Sequence, residues 1–181
     1  TYLFSRGDKR NNLLNLMVER QSAILEKAWQ NRKINLPLKN KYEALILASI
    51  IEEEASLPEE QSVISSVFIN RLKSDMRLQT DPTVIFGITK GKYVLGRGLL
   101  KRELNHYTPW NTYRIKGLPP TPITNPGEAA INAATQPANT DFLYFVANGK
   151  GGHWFAKTNE EHNENVRKWR EIKKKRNNKL N

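Results

Sequence analysis

Three consecutive carboxylates, Glu52-Glu53-Glu54, close an otherwise apolar stretch of the chain. At about 100° per residue, Ala44, Leu47, Ala48, Ile51 and Ala55 form one helical stripe. Glu53 points nearly opposite to it, and Glu52 and Glu54 flank it on either side. The i−3 and i−4 neighbours of Glu54 are Ile51 and Ile50, whereas those of Glu52 are Ser49 and Ala48. Glu54 therefore has the more apolar surroundings. Desolvation raises a carboxyl pKa and suits the group to act as a proton donor near neutral pH. The bland alternative is a charged helix end with all three side chains in water. Three acids at a helix C-terminus oppose the helix dipole, so the placement is not one that stability alone favours.

Further candidates lie downstream. Gln79 and Asp81 sit in the loop Gln79-Thr80-Asp81-Pro82, and Asp81 reads either as a turn residue before proline or as a second carboxylate at a substrate. Asn70 either orients a substrate hydroxyl or caps its helix. Trp110 and Tyr113 flank the polar pair Asn111-Thr112. Aromatic faces with polar neighbours suit sugar rings, although packing into a satellite core explains them equally well. His153 follows Gly151-Gly152 and reads as a cleft residue or as a hydrogen-bonded structural one. Three scattered histidines without metal-ligand spacing, and no phosphate-cradling glycine loop, point to no metal and no cofactor.

These residues need elements to hold them. Residues 1–8 read as a strand end and turn. Residues 11 to about 32 read as a helix, with Leu13, Leu14, Leu16, Met17, Ile24, Leu25 and Trp29 on one broad stripe. Pro37 and Lys39-Asn40-Lys41 break it, and a second helix covers 42 to about 55. Ser56-Leu57-Pro58-Glu59 fits a capping box for a third helix ending near Lys73. Its inward side carries Val63, Ile64, Val67, Phe68 and Leu72. From 74 to 124 glycine and proline recur, so short strands (84–88 and 113–115) and long ordered loops are expected. Asn125-Pro126-Gly127-Glu128 then supplies an N-cap with proline at the first helical position, for a helix to about Ala134. Residues 142–146 form a strand, Asn148-Gly149 signals a hairpin turn, and 153–155 provide the partner strand. Thr158-Asn159-Glu160-Glu161 opens the last helix. The fold class is α+β, with a helical N-terminal half, a loop-rich middle, a hairpin and a C-terminal helix.

The 181 residues make about one domain, large enough for a real core. Absence of cysteine excludes a disulfide scaffold and a zinc–thiolate site. No apolar run approaches the roughly 18–20 residues of a membrane span. The formal net charge is +11, from 29 Lys and Arg against 18 Asp and Glu. Residues 165–181 hold eight cations against one anion, a net +7 that leaves +4 for the rest. That tail reads as a solvated, fraying helix end or as a contact for a polyanion.

The segment 48–55 followed by Ser66-Val67-Phe68-Ile69-Asn70-Arg71-Leu72 resembles the endolytic murein transglycosylases, the MltG or YceG-like family. The likeness continues through Met76-Arg77-Leu78-Gln79-Thr80-Asp81-Pro82-Thr83-Val84, Asn111-Thr112-Tyr113 and Gly117-Leu118-Pro119-Pro120. It closes on Ile123-Thr124-Asn125-Pro126-Gly127, on 144–153 and on His162-Asn163. The resemblance implies an enzyme that cuts peptidoglycan glycan strands internally at the MurNAc–GlcNAc β-1,4 bond, leaving 1,6-anhydroMurNAc ends. It puts the catalytic glutamate at Glu54, with the middle acid of the motif, commonly Lys in the family, at Glu53. An intramolecular nucleophile removes the need for the second carboxylate of ordinary glycosidases, for which Asp81 is the obvious candidate. Substrate contacts are expected at Asn70, Gln79, Asp81, Trp110, Asn111, Tyr113 and His153.

Family members usually carry an N-terminal membrane span and a LysM-like subdomain. Neither lies in this chain, which opens on Thr1, so it reads as a catalytic domain (1–164) with a basic tail (165–181). The implied site of action is the cell envelope, on the outer face of the inner membrane. The implied partners are glycan strands and penicillin-binding synthases, with no nucleic acid. The alternatives are a hydrolytic muramidase using Glu54 with Asp81, or a non-catalytic glycan- or polyanion-binding module.

Overall fold

The computed structural model describes residues 2–7, 9–55 and 57–177. Its centre is an apolar helix. Among the described residues seven α-helices, labelled in chain order, are α1 (Arg10–Gln30), α2 (Lys41–Glu54), α3 (Gln61–Lys73), α4 (Asp81–Thr89), α5 (Lys101–Asn105), α6 (Glu128–Thr135) and α7 (Asn159–Asn177). Two antiparallel strands, β1 (Tyr144–Ala147) and β2 (His153–Ala156), lie between α6 and α7, with Phe145 opposite Phe155 and Ala147 opposite His153. The α+β expectation holds.

α2 starts where Asn40 accepts the Glu43 N–H at 3.0 Å, the N-cap bond that frees a helix end from an orphan donor. From Ile46 to Ile51 every residue of α2 is buried, so it is covered on all sides. α6 is its largest partner. The small residues Ala130, Ala133 and Ala134 of α6, and Ala44 and Ala48 of α2, all lie in that core and suit a close approach of the two helices. α3 adds Ile64, Phe68 and Ile69, and Phe68 meets Phe145 of β1 edge-on at 5.8 Å. The end of α2 is thereby fixed against α3, α4, α6 and the hairpin.

Several expectations are corrected. Of the stripe on α1 only Leu25 is buried, with Ile24 and Trp29 packed partly buried against the core, while Leu14, Leu16 and Met17 are exposed, because it is the later turns that join the core cluster. Residues 2–7 form a turn and no strand. Ser56 lies outside the described residues; its neighbours Pro58–Glu60 make a 3-10 turn leading into α3. Residues 84–88, expected as a strand, belong to α4. Pro82 in the first turn favours a helix start, and burial of Val84 and Thr83 outweighs the β preference of this stretch. Residues 113–115 are a turn bonded back to the Asn111 carbonyl.

The N-cap of α6 is Gly127 and not Asn125, so Pro126 precedes the helix, and its carbonyl accepts from Gln21. The hairpin loop spans five residues, closed by Asn148 N–H to Gly152 C=O at 2.9 Å. The Asn148 side chain accepts from Lys150 and Gly152 N–H, which makes a wider loop than a two-residue turn. Half of the last capping box forms: Thr158 Oγ1 accepts from Glu161 N–H, while the Glu161 carboxylate takes the Lys157 N–H, and α7 then runs unbroken through residue 164. No helix among the described residues is long and apolar enough to cross a membrane.

Candidate active site

The three carboxylates of α2 separate by direction, as the helical spacing requires. Glu53 is exposed. Glu52 turns to the start of α6 and accepts the Gly127 N–H at 3.1 Å, so a carboxylate that opposes the dipole of α2 complements that of α6. Glu54 is half-buried and faces a cleft of about 600 Å³. Gln79, Asp81 and Tyr113 line one part of the cleft, β1 from Tyr144 to Ala147 with His153 lines another, and the start of α7 adds His162 and Asn163.

Glu54 accepts a hydrogen bond from the Thr80 hydroxyl. Burial pushes its carboxyl pKa up, which the Thr80 bond and His153 resist and the charges of Asp81 and Glu53 reinforce. Burial wins, so Glu54 holds its proton to a higher pH than an exposed glutamate.

Thr80 is itself placed by a buried hydroxyl network. Its N–H donates to Thr112 Oγ1 at 3.0 Å, and Thr83 Oγ1 lies 2.8 Å from the same atom while donating to the Thr80 carbonyl. Gln79 N–H donates to the Thr112 carbonyl, with Gln79 in the left-handed region at φ +54°. Two residues later Asp81 begins α4, and its carboxylate accepts from the Tyr113 hydroxyl at 2.6 Å. Burial, then that bond, raises the Tyr113 pKa and keeps the phenol a donor.

On the opposite wall Glu60 grips His153 twice, accepting its backbone N–H at 3.0 Å and facing ring Nδ1 at 2.7 Å. The bond to Nδ1 leaves the other ring nitrogen to the cleft. Among the described residues no cluster of His, Cys, Asp or Glu could hold a metal ion.

Glu54 thus presents a carboxyl of raised pKa to an open cleft, an arrangement suited to proton transfer. The YceG-like family model matches residues 1–168. The chain belongs to the YceG-like family. It is 38% identical over 170 residues to a Bacillus subtilis protein named endolytic murein transglycosylase, covering 93% of this chain and 46% of that one. A Streptococcus pneumoniae protein of the same name is 30% identical over 175 residues, covering 91% of this chain and 31% of that one. The crystal structure of a YceG-like protein from Listeria monocytogenes superposes with a TM-score of 0.74 at 36% identity, over 90% of this chain and 52% of that one. The chain thus spans less than half the length of the curated relatives it matches.

Of the residues singled out in sequence, this YceG-like fold brings Glu54, Gln79, Asp81, Tyr113 and His153 to one cleft. It does not bring Asn70, Asn111 or Trp110 to that lining. Asn70 donates to the carbonyls of Thr140 and Phe142, holding the approach to β1. Asn111 is fully buried and donates to the Leu104 and His106 carbonyls, with its own oxygen accepting from Tyr113 N–H. Trp110 donates its indole N–H to Thr121 and lies under the Lys90 ammonium.

Two residues that place the site were missed. Thr80 gave no sequence signal beyond its neighbours. Arg71 lies one turn of helix from Phe68, and an arginine on a buried face is itself a signal. Its guanidinium donates to the carbonyls of Leu143, Arg77 and Leu78 and to the Gln79 side chain, joining both walls of the cleft.

Proposed function

We propose that this chain carries the catalytic site of an endolytic murein transglycosylase, with Glu54 as its acid and base. The supporting observation is the half-buried Glu54 carboxyl, its pKa raised, facing an open cleft. Protonated Glu54 gives its proton to the glycosidic oxygen between MurNAc and GlcNAc as the bond from C1 breaks. The resulting carboxylate then takes the proton of the MurNAc 6-hydroxyl while that oxygen bonds to C1. One carboxyl serves both steps, no water is consumed, and the product ends in a 1,6-anhydro ring. The attacking hydroxyl is already on the substrate, so positioning it replaces the second carboxylate of a hydrolase. Gln79, Asp81, Tyr113 and His153 would line the sugars. The reading puts the protein at the cell envelope, at the outer face of the inner membrane, on glycan strands and beside penicillin-binding synthases.

A second reading, a hydrolytic muramidase, is favoured by one feature: Asp81 lines the same cleft, oriented by Tyr113. Digestion of purified peptidoglycan separates the two. Anhydro-muramic ends in the mass spectrum support transglycosylation, and reducing ends support hydrolysis. Glu54→Gln is expected to cut at least about 100-fold more slowly; cleavage at the wild-type rate would refute the assignment.

A further inference from the structure

Beside the Glu54 cleft lies a second depression of about 710 Å³, to which nothing above assigns a role. Glu54 and Asp81 line the first, and their direct chain neighbours Glu53 and Pro82 line the second. The far wall of the second depression is the segment 90–97, which follows α4. That segment is tied down at both ends. At one, the Lys90 ammonium sits 3.2 Å from the centre of the Trp110 ring. At the other, Arg97 makes a paired contact with Glu103, at 2.6 and 2.9 Å. Between these anchors Tyr93 and Val94 are 57% and 92% exposed. A segment held at both ends that still presents an aromatic ring and a branched aliphatic to solvent has the form of a contact surface.

We infer that this depression binds the part of the glycan strand that leaves the Glu54 cleft on the side away from α7, with Tyr93 as its sugar-facing ring. The inference rests on the reading of the Glu54 cleft proposed above. An enzyme that cuts inside a polymer holds chain on both sides of the broken bond, and α7 lines the Glu54 cleft but not the second depression. Glu53 and Pro82, next in chain to Glu54 and Asp81, then mark the way from one to the other. The chemistry of the second depression fits a peptide-bearing glycan. A pyranose has an apolar face for Tyr93 and Val94, the Thr89 and Thr124 hydroxyls suit its rim, and the Lys92 ammonium suits a carboxylate of the stem peptide. Trp110, which donates to Thr121 and lies under Lys90, then acts through the segment as a positioning residue.

The test is binding to the Glu54→Gln protein, which holds strands without cutting them. A tetrasaccharide and uncross-linked glycan strands several times longer are titrated separately, and the ratio of the two affinities is the readout. In Glu54→Gln the longer strands are expected to bind more tightly. Adding Tyr93→Ala should cut their affinity about tenfold and collapse the ratio. Adding Tyr107→Ala instead, an exposed tyrosine that lines neither cleft, should leave the ratio intact. A ratio unmoved by both Tyr93→Ala and Tyr93→Ala/Val94→Ser overturns the inference while leaving the Glu54 assignment standing. So does a change in self-association in place of glycan binding, which would make a second copy the occupant. If Glu54→Gln binds neither strand and the wild type cuts none, both readings fall together. Thermal unfolding of each variant confirms that the surface changes leave the fold intact.

Discussion

Glu54 stands between two opposed influences, and their balance sets its working pH. Burial favours the neutral acid, whereas the Thr80 hydroxyl stabilises the carboxylate. Replacing Thr80 by Val keeps the shape and removes only the donor. The Glu54 pKa should then rise further, and the alkaline limb of the pH–rate profile should move to higher pH. A limb that stays in place or moves down would show that another group controls it. The same shift has a consequence for stability. The folded-state pKa lies above the unfolded value, so the folded state binds the proton more tightly. The favourable contribution is complete below the unfolded pKa and is lost as pH rises through the folded one. Glu54→Gln should therefore stabilise the fold at neutral and alkaline pH, with the gain fading in acid, which thermal unfolding across that range would reveal. Arg71 lies on the structural side of the site. Arg71→Met leaves three carbonyls without their donor and should cost about 3 kcal/mol in denaturant unfolding.

At the scale of elements, the hairpin loop makes two close approaches that separate stability from positioning. At Gly149, φ is +77° and an added Cβ would lie 2.9 Å from Ile172 of α7. Gly149→Ala combines left-handed strain with a clash against a packed helix, and should cost about 2 kcal/mol of stability. At Gly152 the added Cβ would meet the Glu60 carboxylate at 2.4 Å, a side chain able to swing away. Gly152→Ala should cost less stability, about 1 kcal/mol, but it releases His153 and should weaken substrate binding. Equal stability losses with unchanged KM would contradict that division.

The hairpin strands and helices α1, α2, α3 and α7 were legible because their periodicity and the breaks between them lie within the chain segment itself. α4 was not, since Val84-Ile85-Phe86 reads as strand and only packing against α2 and the 108–112 turn decides otherwise. The same holds for the site. Glu54 was marked by its apolar neighbours on its own helix. Asn70 was ambiguous because the carbonyls that occupy it, those of Thr140 and Phe142, lie far along the chain; those that occupy Asn111 lie close by, at the end of α5, a helix that the sequence did not mark.

At the scale of the molecule, the excess positive charge is set at a distance from the chemistry. His162 and Asn163 touch the cleft, whereas the cations Lys173, Lys174, Lys175 and Arg176 begin about 15 Å further along α7. That is roughly twice the screening length at physiological salt, so their field at Glu54 is weak. Their reach is toward whatever lies beyond the far end of α7. Deleting residues 173–181 removes five cations and lowers the net charge from +11 to +6. It also removes the Arg176 bond to the Gly149 carbonyl while sparing the Ile172 contact with the same loop. Cleavage of a short soluble glycan should then stay within about twofold of the intact chain, because neither Glu54 nor its neighbours feel the change. Cleavage of intact, anionic wall should become slower at low salt and less dependent on salt, because long-range attraction is what was removed. A large loss on the short substrate would instead mean that the end of α7 supports the cleft mechanically, through Gly149 and the loop that carries Gly152 and His153.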